Sequence, residues 1–320
     1  MSIVVAPPLA TTWFDPAVLS IVLVLAGWYR LGNRRPGLRE VGTGRRPSSP
    51  AWRALAFYGA LLATLLALDS PIEGWSHTLL WAHMGQHLLL MVVAAPLLVL
   101  AAPWNALWRP LPLGFRRAVA GGVVQGRAFA PVRKAAYVLS LPVAAWLLFN
   151  GDLALWHVPW FYDLTLQNTA VHYAEHFSFV LFGCLFWAQV IDSRPFHPRL
   201  GHFGRAVFAT AGSVAAWVLA VVLALAPTPL YSVYSSLPSR PGDISALTDQ
   251  QLAGGMMWGP GSIPFAIVVF WALYRWLGDD EPRRRRRSAA PLRPEITAAE
   301  AQAGCSSCRT ALSTSPAENG

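Results

Sequence analysis

Seven stretches of the chain are apolar enough, and close to long enough, to cross a bilayer as helices: 13–31, 52–70, 78–102, 135–155, 170–191, 203–226 and 251–276. A hydrocarbon core about 30 Å thick takes roughly 20 apolar residues at helical rise. Polar segments rich in Arg, Pro and Gly separate the stretches. The pattern predicts an all-α fold, a polytopic membrane protein whose residues 1–277 form a seven-transmembrane-helix bundle. Residues 278–320, rich in Arg, Pro, Ala and Ser, read as a disordered cytoplasmic tail. The first two stretches are the weakest, because each needs an arginine, Arg30 or Arg53, to snorkel to an interface.

Composition supports this reading. The chain is 54% hydrophobic and only 13% charged, against about a quarter charged in a soluble domain. Its 15 tryptophans suit a residue that favours the membrane interface. A net charge of +9 would suggest nucleic acid for a soluble protein. Here its placement suggests topology instead. With seven spans, every one of the 25 Lys and Arg residues except Arg240 falls on one side. Positive charge stays inside, so that side is cytoplasmic, the N-terminus faces outward and the C-terminus is cytoplasmic. The Arg283–Arg287 run reads as a lipid-headgroup anchor, with no nucleic-acid partner implied. The first basic residue is Arg30, so the first apolar stretch is expected to stay as a span rather than leave as a signal peptide. Three cysteines imply no disulfide framework. Cys184 reads as packing, and Cys305 and Cys308 form an isolated CxxC in the tail.

The histidines carry the candidate chemistry. Six of the eight fall on the outer side of this topology: His77, His83, His87, His157, His172 and His176. His83/His87 and His172/His176 are both i, i+4 pairs, which share a helix face. Both pairs lie in the first turns of helices entering from the same side, at comparable depth. If the third and fifth spans touch, four imidazoles can converge on one ion. Polar groups in hydrocarbon need partners, and neutral imidazole ligates copper, zinc and iron. Glu175 can orient an imidazole or act as a ligand. Met84, Met256 and Met257 supply thioethers suited to Cu(I). Against this stand ordinary readings: histidines hydrogen-bonded between helices, methionines as packing, and His77 and His157 as interface residues. Asp69 and Asp249 read as interfacial acids. Trp156–Asp163 reads as an aromatic belt that can also serve as a lid or docking surface. Gly254, Gly255, Gly259, Pro260, Gly261 and Pro264 predict a broken or kinked entry to the last span.

Three blocks resemble the CtaG-type assembly factors of caa-type cytochrome c oxidases. They are SPIEGWSHTLLWAHMGQHLLLMVVAAPLLVLAAP, LWHVPWFYDLTLQNTAVHYAEHFSFVLFGCLFW and LTDQQLAGGMMWGPG, in that order. The resemblance implies a multi-pass protein of the bacterial plasma membrane that helps mature the copper centres of a haem–copper oxidase. It implies copper rather than zinc, oxidase subunits as clients, and a copper donor protein on the outer face. Carried onto the matched blocks, it points to His83, His87, His157, His172, His176, Met256 and Met257. The expected role is a copper chaperone and not an enzyme, since no substrate bond is broken. The alternatives are a haem-binding membrane redox protein using the same histidines, a metal-free oxidase-docking scaffold, and a copper transporter.

Overall fold

A computed structural model describes residues 14–34, 51–193 and 197–288, without the side chains at 124–125 and 279–288. Residues 1–274 make one compact unit and 275–320 another; the candidate site lies within the first. Arg35, Arg39, Arg45 and Arg46 of the first basic loop, Arg194, and the tail from 289 with Cys305 and Cys308 lie outside the described residues.

The described residues are helical apart from connecting segments. The main helices are α1 Pro16–Arg34, α2 Ala51–Leu68, α3 Pro71–Ser76, α4 Leu80–Ala101, α5 Ala130–Leu139, α6 Pro142–Trp156, α7 Pro159–Gln167, α8 Thr169–Trp187, α9 His202–Leu225 and α10 Ala246–Ser288. Each of the seven expected spans meets a helix. Five (α1, α2, α4, α9 and the Ala246–Gly278 part of α10) are long and apolar enough to cross a membrane. Six are, if α6 and the segment Arg127–Leu139 before it count as one span. The segment expected at 170–191 forms α8, whose apolar run is interrupted by His172, Glu175 and His176.

Three local expectations are corrected. The span expected at 135–155 is broken and bent by 77° between α5 and α6. The cause is Pro142, which holds Leu141 extended (φ −71°, ψ 142°) and starts a new helix. The Gly/Pro-rich entry to the last span is not broken, because α10 runs through it as continuous helix. Gly254 serves close packing instead: a Cβ there would sit 2.7 Å from the Ala220 carbonyl oxygen of α9. α10 also continues to Ser288, well past the expected start of the tail at 278.

The core centres on α4, α6, α8, α9 and α10, where Phe149, Phe186, Trp187, Phe208 and Phe265 pack together. Phe149 and Phe186 stack at 4.4 Å. α1 and α2 form a side layer held by Tyr29 on Phe57, 4.0 Å apart. Midway, α4 widens into a π-helical segment, Leu89–Ala94. Such segments shift the backbone hydrogen-bond ladder, and here the Met91 carbonyl accepts the Trp187 indole N–H at 2.8 Å. Trp187 is fully buried, so Trp187→Phe leaves that carbonyl unpaired. We expect a loss of about 1–3 kcal/mol, read as reduced thermal stability of the detergent-purified protein.

Candidate metal centre

Two capped helix starts set the geometry. Asp249 on α10 accepts the Leu80 and Trp81 backbone N–H groups at 2.8 and 3.1 Å, satisfying the exposed donors that open α4. Asp249 is fully buried, so it is a helix-terminus acceptor and not the interfacial acid its sequence position suggested. Asn168 caps α8, its side chain accepting from Ala170 and Val171.

These caps fix the first two turns of α4 and α8, and the i, i+4 spacing does the rest. Ring centroids are 4.4 Å apart for His83/His87 and 4.2 Å for His172/His176. Across the two helices they are 5.1 Å apart for His83/His172 and 5.7 Å for His87/His176. The two pairs therefore do meet. Glu175 stands among them, with Oε2 3.6 Å from His83 Nε2 and Oε1 3.4 Å from His87 Nε2. One donor atom from each of His83, His87, Glu175 and His176 lies within 4.8 Å of every other. Metal–ligand distances of about 2.0–2.2 Å allow donors up to about 4.4 Å apart, so closure on an ion needs only small side-chain shifts. His172 stands beside this group.

Hydrogen bonding shows what the centre asks for. The Tyr234 hydroxyl donates to the Ser76 carbonyl, so it must accept from His83 Nδ1, 3.3 Å away. In the neutral His83 ring the proton is then on Nδ1, and Nε2 turns a lone pair toward the Glu175 carboxylate. Both Glu175 oxygens, His83 Nε2, His172 Nε2 and both ring nitrogens of His87 and His176 are buried without a hydrogen-bond partner. Native proteins rarely leave such groups orphaned. A proton or a metal cation placed between His83 Nε2 and the carboxylate satisfies both groups, and only a metal ion can also engage the His87 and His176 nitrogens beside them. The residues present therefore fit a metal ion.

A second contact lies beside the centre. His157, just beyond α6, is buried, and its Nδ1 donates to the Leu153 carbonyl at 2.7 Å. Nε2 thus presents a lone pair to the Met84 sulfur at 3.3 Å. Burial lowers this imidazole to about 4, despite the Leu153 carbonyl acting in the other direction, which keeps the ring neutral near pH 7. Two acceptors in contact, one nitrogen and one thioether, form a soft-metal donor pair. Among the described residues Met84 is the methionine whose sulfur meets an imidazole. Met256 lays its methyl 3.5 Å from where a Cβ on Gly85 would be, and Met257 packs in the hydrophobic core.

Several contributors were not foreseen from sequence. Tyr162 of α7 is buried, 5.2 Å from His83 between ring centroids, with Tyr234 beside it. Burial pushes its phenol well above the usual range, helped by Tyr234 and Tyr231, so it remains a donor. Asp163 anchors this helix to Ser232 and Val233. α7 therefore covers the imidazoles from within the Trp156–Asp163 stretch, with Trp160 exposed on its outer surface. Glu73 of α3 receives the Gln86 side-chain amide. Burial raises this carboxyl, but the hydrogen bonds from His77 and Gln86 and the neighbouring His172 outweigh it, and the net shift is downward. Glu73 is an acid only three residues upstream of Ser76, inside the first resembling block, and that proximity was the available signal.

Proteins similar to this chain occur in mycobacteria. Uncharacterized proteins of Mycobacterium bovis and Mycobacterium tuberculosis are each 26% identical over 274 residues, covering 84% of this chain and 40% of theirs. An uncharacterized protein of Mycobacterium leprae is 22% identical over 279 residues, with the same coverage. The chain thus spans about 40% of the length of the curated relatives it matches. No solved structure matches. The family described as cytochrome c oxidase caa3 assembly factor (CtaG) matches residues 18–279. That range takes in every helix of the converging imidazoles, and the chain belongs to this assembly-factor family.

Proposed function

We propose that the protein holds copper, as Cu(I), at His83, His87, Glu175 and His176, and passes it on during maturation of a copper centre in a haem–copper oxidase. The observation that carries this reading is the buried set of converging donor atoms with no partner of their own. The His157–Met84 pair favours a soft ion over zinc. The role is non-catalytic: ligands exchange and no substrate bond breaks. The reading includes a seven-span topology with α8 as a span, since its polar residues face protein: His172, Glu175 and His176 are all buried. It also keeps the Arg-rich side cytoplasmic, which places the site toward the outer face of the bacterial plasma membrane. There it meets oxidase subunits and a copper donor.

A haem at the same histidines fits less well. The imidazoles are in mutual contact and Glu175 stands between them, where a porphyrin would need an open slot.

Metal analysis of the purified protein after anaerobic Cu(I) loading tests the proposal. Wild type should retain copper near stoichiometrically, and His87→Ala/His176→Ala should lose it while still reaching the membrane. Equal copper in the two proteins would end the copper reading in favour of a metal-free scaffold. A haem absorbance spectrum in the wild type would redirect it to a redox role.

A further inference from the structure

A cavity adjoins the buried centre on its outer side. It has a volume of about 230 Å³ and is lined by Asp15, Leu68, Glu73, His172, Tyr173 and His176, among others. Two of these, His172 and His176, belong to the imidazole cluster. Both are at least nine-tenths buried, yet His172 Nε2 and both His176 nitrogens have no hydrogen-bond partner. The cavity is therefore bounded by two residues of the cluster, whose unpartnered nitrogens are buried beside it.

The outer wall is acidic and anchored. The Asp15 backbone N–H donates to Asp69 at 2.8 Å, and the Tyr173 hydroxyl donates to Asp15 at 3.0 Å. Glu73 faces His77 at 3.5 Å, and the His77 side chain is 46% exposed. The His77 ring centroid lies 6.2 Å from that of His172, which in turn lies 4.2 Å from that of His176. Imidazoles thus step from solvent to the buried centre. A carboxylate stands at each end: Glu73 outside and Glu175 inside.

We propose that Glu73, His77 and His172 form an outer, transient position for a soft monovalent cation, and that the ion reaches the buried centre through it. This rests on the copper reading above and names the route. A ligand-exchange path needs donors close enough for a new bond to form before the old one breaks. His172 meets that need, because it sits within reach of both groups. No oxidant or reductant is required, since the ion keeps its charge and only ligands change.

The test is the kinetics of loading. Full-length protein in detergent is mixed anaerobically with Cu(I) held by a chromophoric chelator, and copper transfer is followed by the chelator's absorbance. His77→Ala alters a half-exposed side chain, so the fold should be intact. It should slow loading about tenfold or more while the final copper content equals wild type. Glu73→Gln, which keeps the shape of the group, should also slow loading. An unchanged rate in both variants would overturn the route while leaving the buried centre standing. A lowered endpoint in His77→Ala would overturn it too, by making His77 part of the resting ligand set. No uptake by the wild type would instead sink the copper reading on which the route depends.

Discussion

Glu175→Gln should weaken Cu(I) binding by about 100-fold and leave the metal-free protein at least as stable as wild type. The two effects share one cause. The carboxylate is fully buried, neither oxygen has a hydrogen-bond partner, and His83 Nε2 and His87 Nε2 stand 3.6 and 3.4 Å away. Without an ion the buried carboxylate has only imidazoles beyond hydrogen-bond distance to offset its desolvation. A glutamine amide has the same shape, carries no charge, and can donate N–H groups to the imidazole lone pairs. The metal-free fold therefore gains or breaks even. With Cu(I) bound the comparison reverses, since the amide neither neutralises the ion nor ligates it strongly. Even residues that only orient ligands typically change metal affinity by about 10- to 100-fold, and Glu175 is within reach of the ion itself. Chelator competition gives the affinity, and thermal unfolding of the metal-free protein gives the stability. Unchanged affinity with reduced stability would show that Glu175 is a structural group and not a ligand.

Much of this site was legible before any coordinates. Two HxxxH pairs at one depth of two apolar stretches required a common face on each helix, and the helices meet as that spacing implies. Glu175 was visible for the same reason, lying one residue from His176. Sequence could not show which of its flanks the carboxylate faces. The groups that complete the environment come from distant segments whose approach no local pattern encodes. Tyr234 orients His83 across a separation of 151 residues, and Asp249 caps α4 from 169 residues away. Of the broken or kinked entry expected near Met256, the break is absent, because glycine has two uses. In water it loosens a helix, but between membrane helices it lets backbones touch, and Gly254 does the latter against α9. The opposite error occurred at Pro142, where a hydropathy window runs smoothly across a backbone that proline redirects. α8 falls outside the helices apolar enough to cross a membrane, and His172, Glu175 and His176 are the residues that make it polar.

Gly183→Val should cost about 1–3 kcal/mol of stability and, in the same protein, most of the copper affinity. A Cβ at Gly183 would lie 2.9 Å from the Ala95 methyl and 3.3 Å from the Met91 carbonyl oxygen. It faces the stretch of α4 where the π-helical segment meets the following turn, so α8 crosses α4 here nearly backbone to backbone. A branched side chain must push the helices apart. Gly183 is seven residues beyond His176, about 10 Å along the helix axis, so tilting α8 there carries Glu175 and His176 away from His83 and His87. Metal centres lose function when their ligands move by about 0.5 Å. The loss of copper should therefore exceed what the fall in stability alone would produce. Gly255→Ala is the control: nothing lies within 4 Å of its added methyl, and an exposed helical glycine replaced by alanine gains about 0.5–1 kcal/mol. A stronger check is Gly183→Ala combined with Ala95→Gly, which moves the methyl from one helix to the other. If close approach is what assembles the centre, the double variant should recover copper affinity that Gly183→Ala alone loses, a coupling expected for residues in contact. Independent, additive effects at the two positions would mean that the crossing does not control the site.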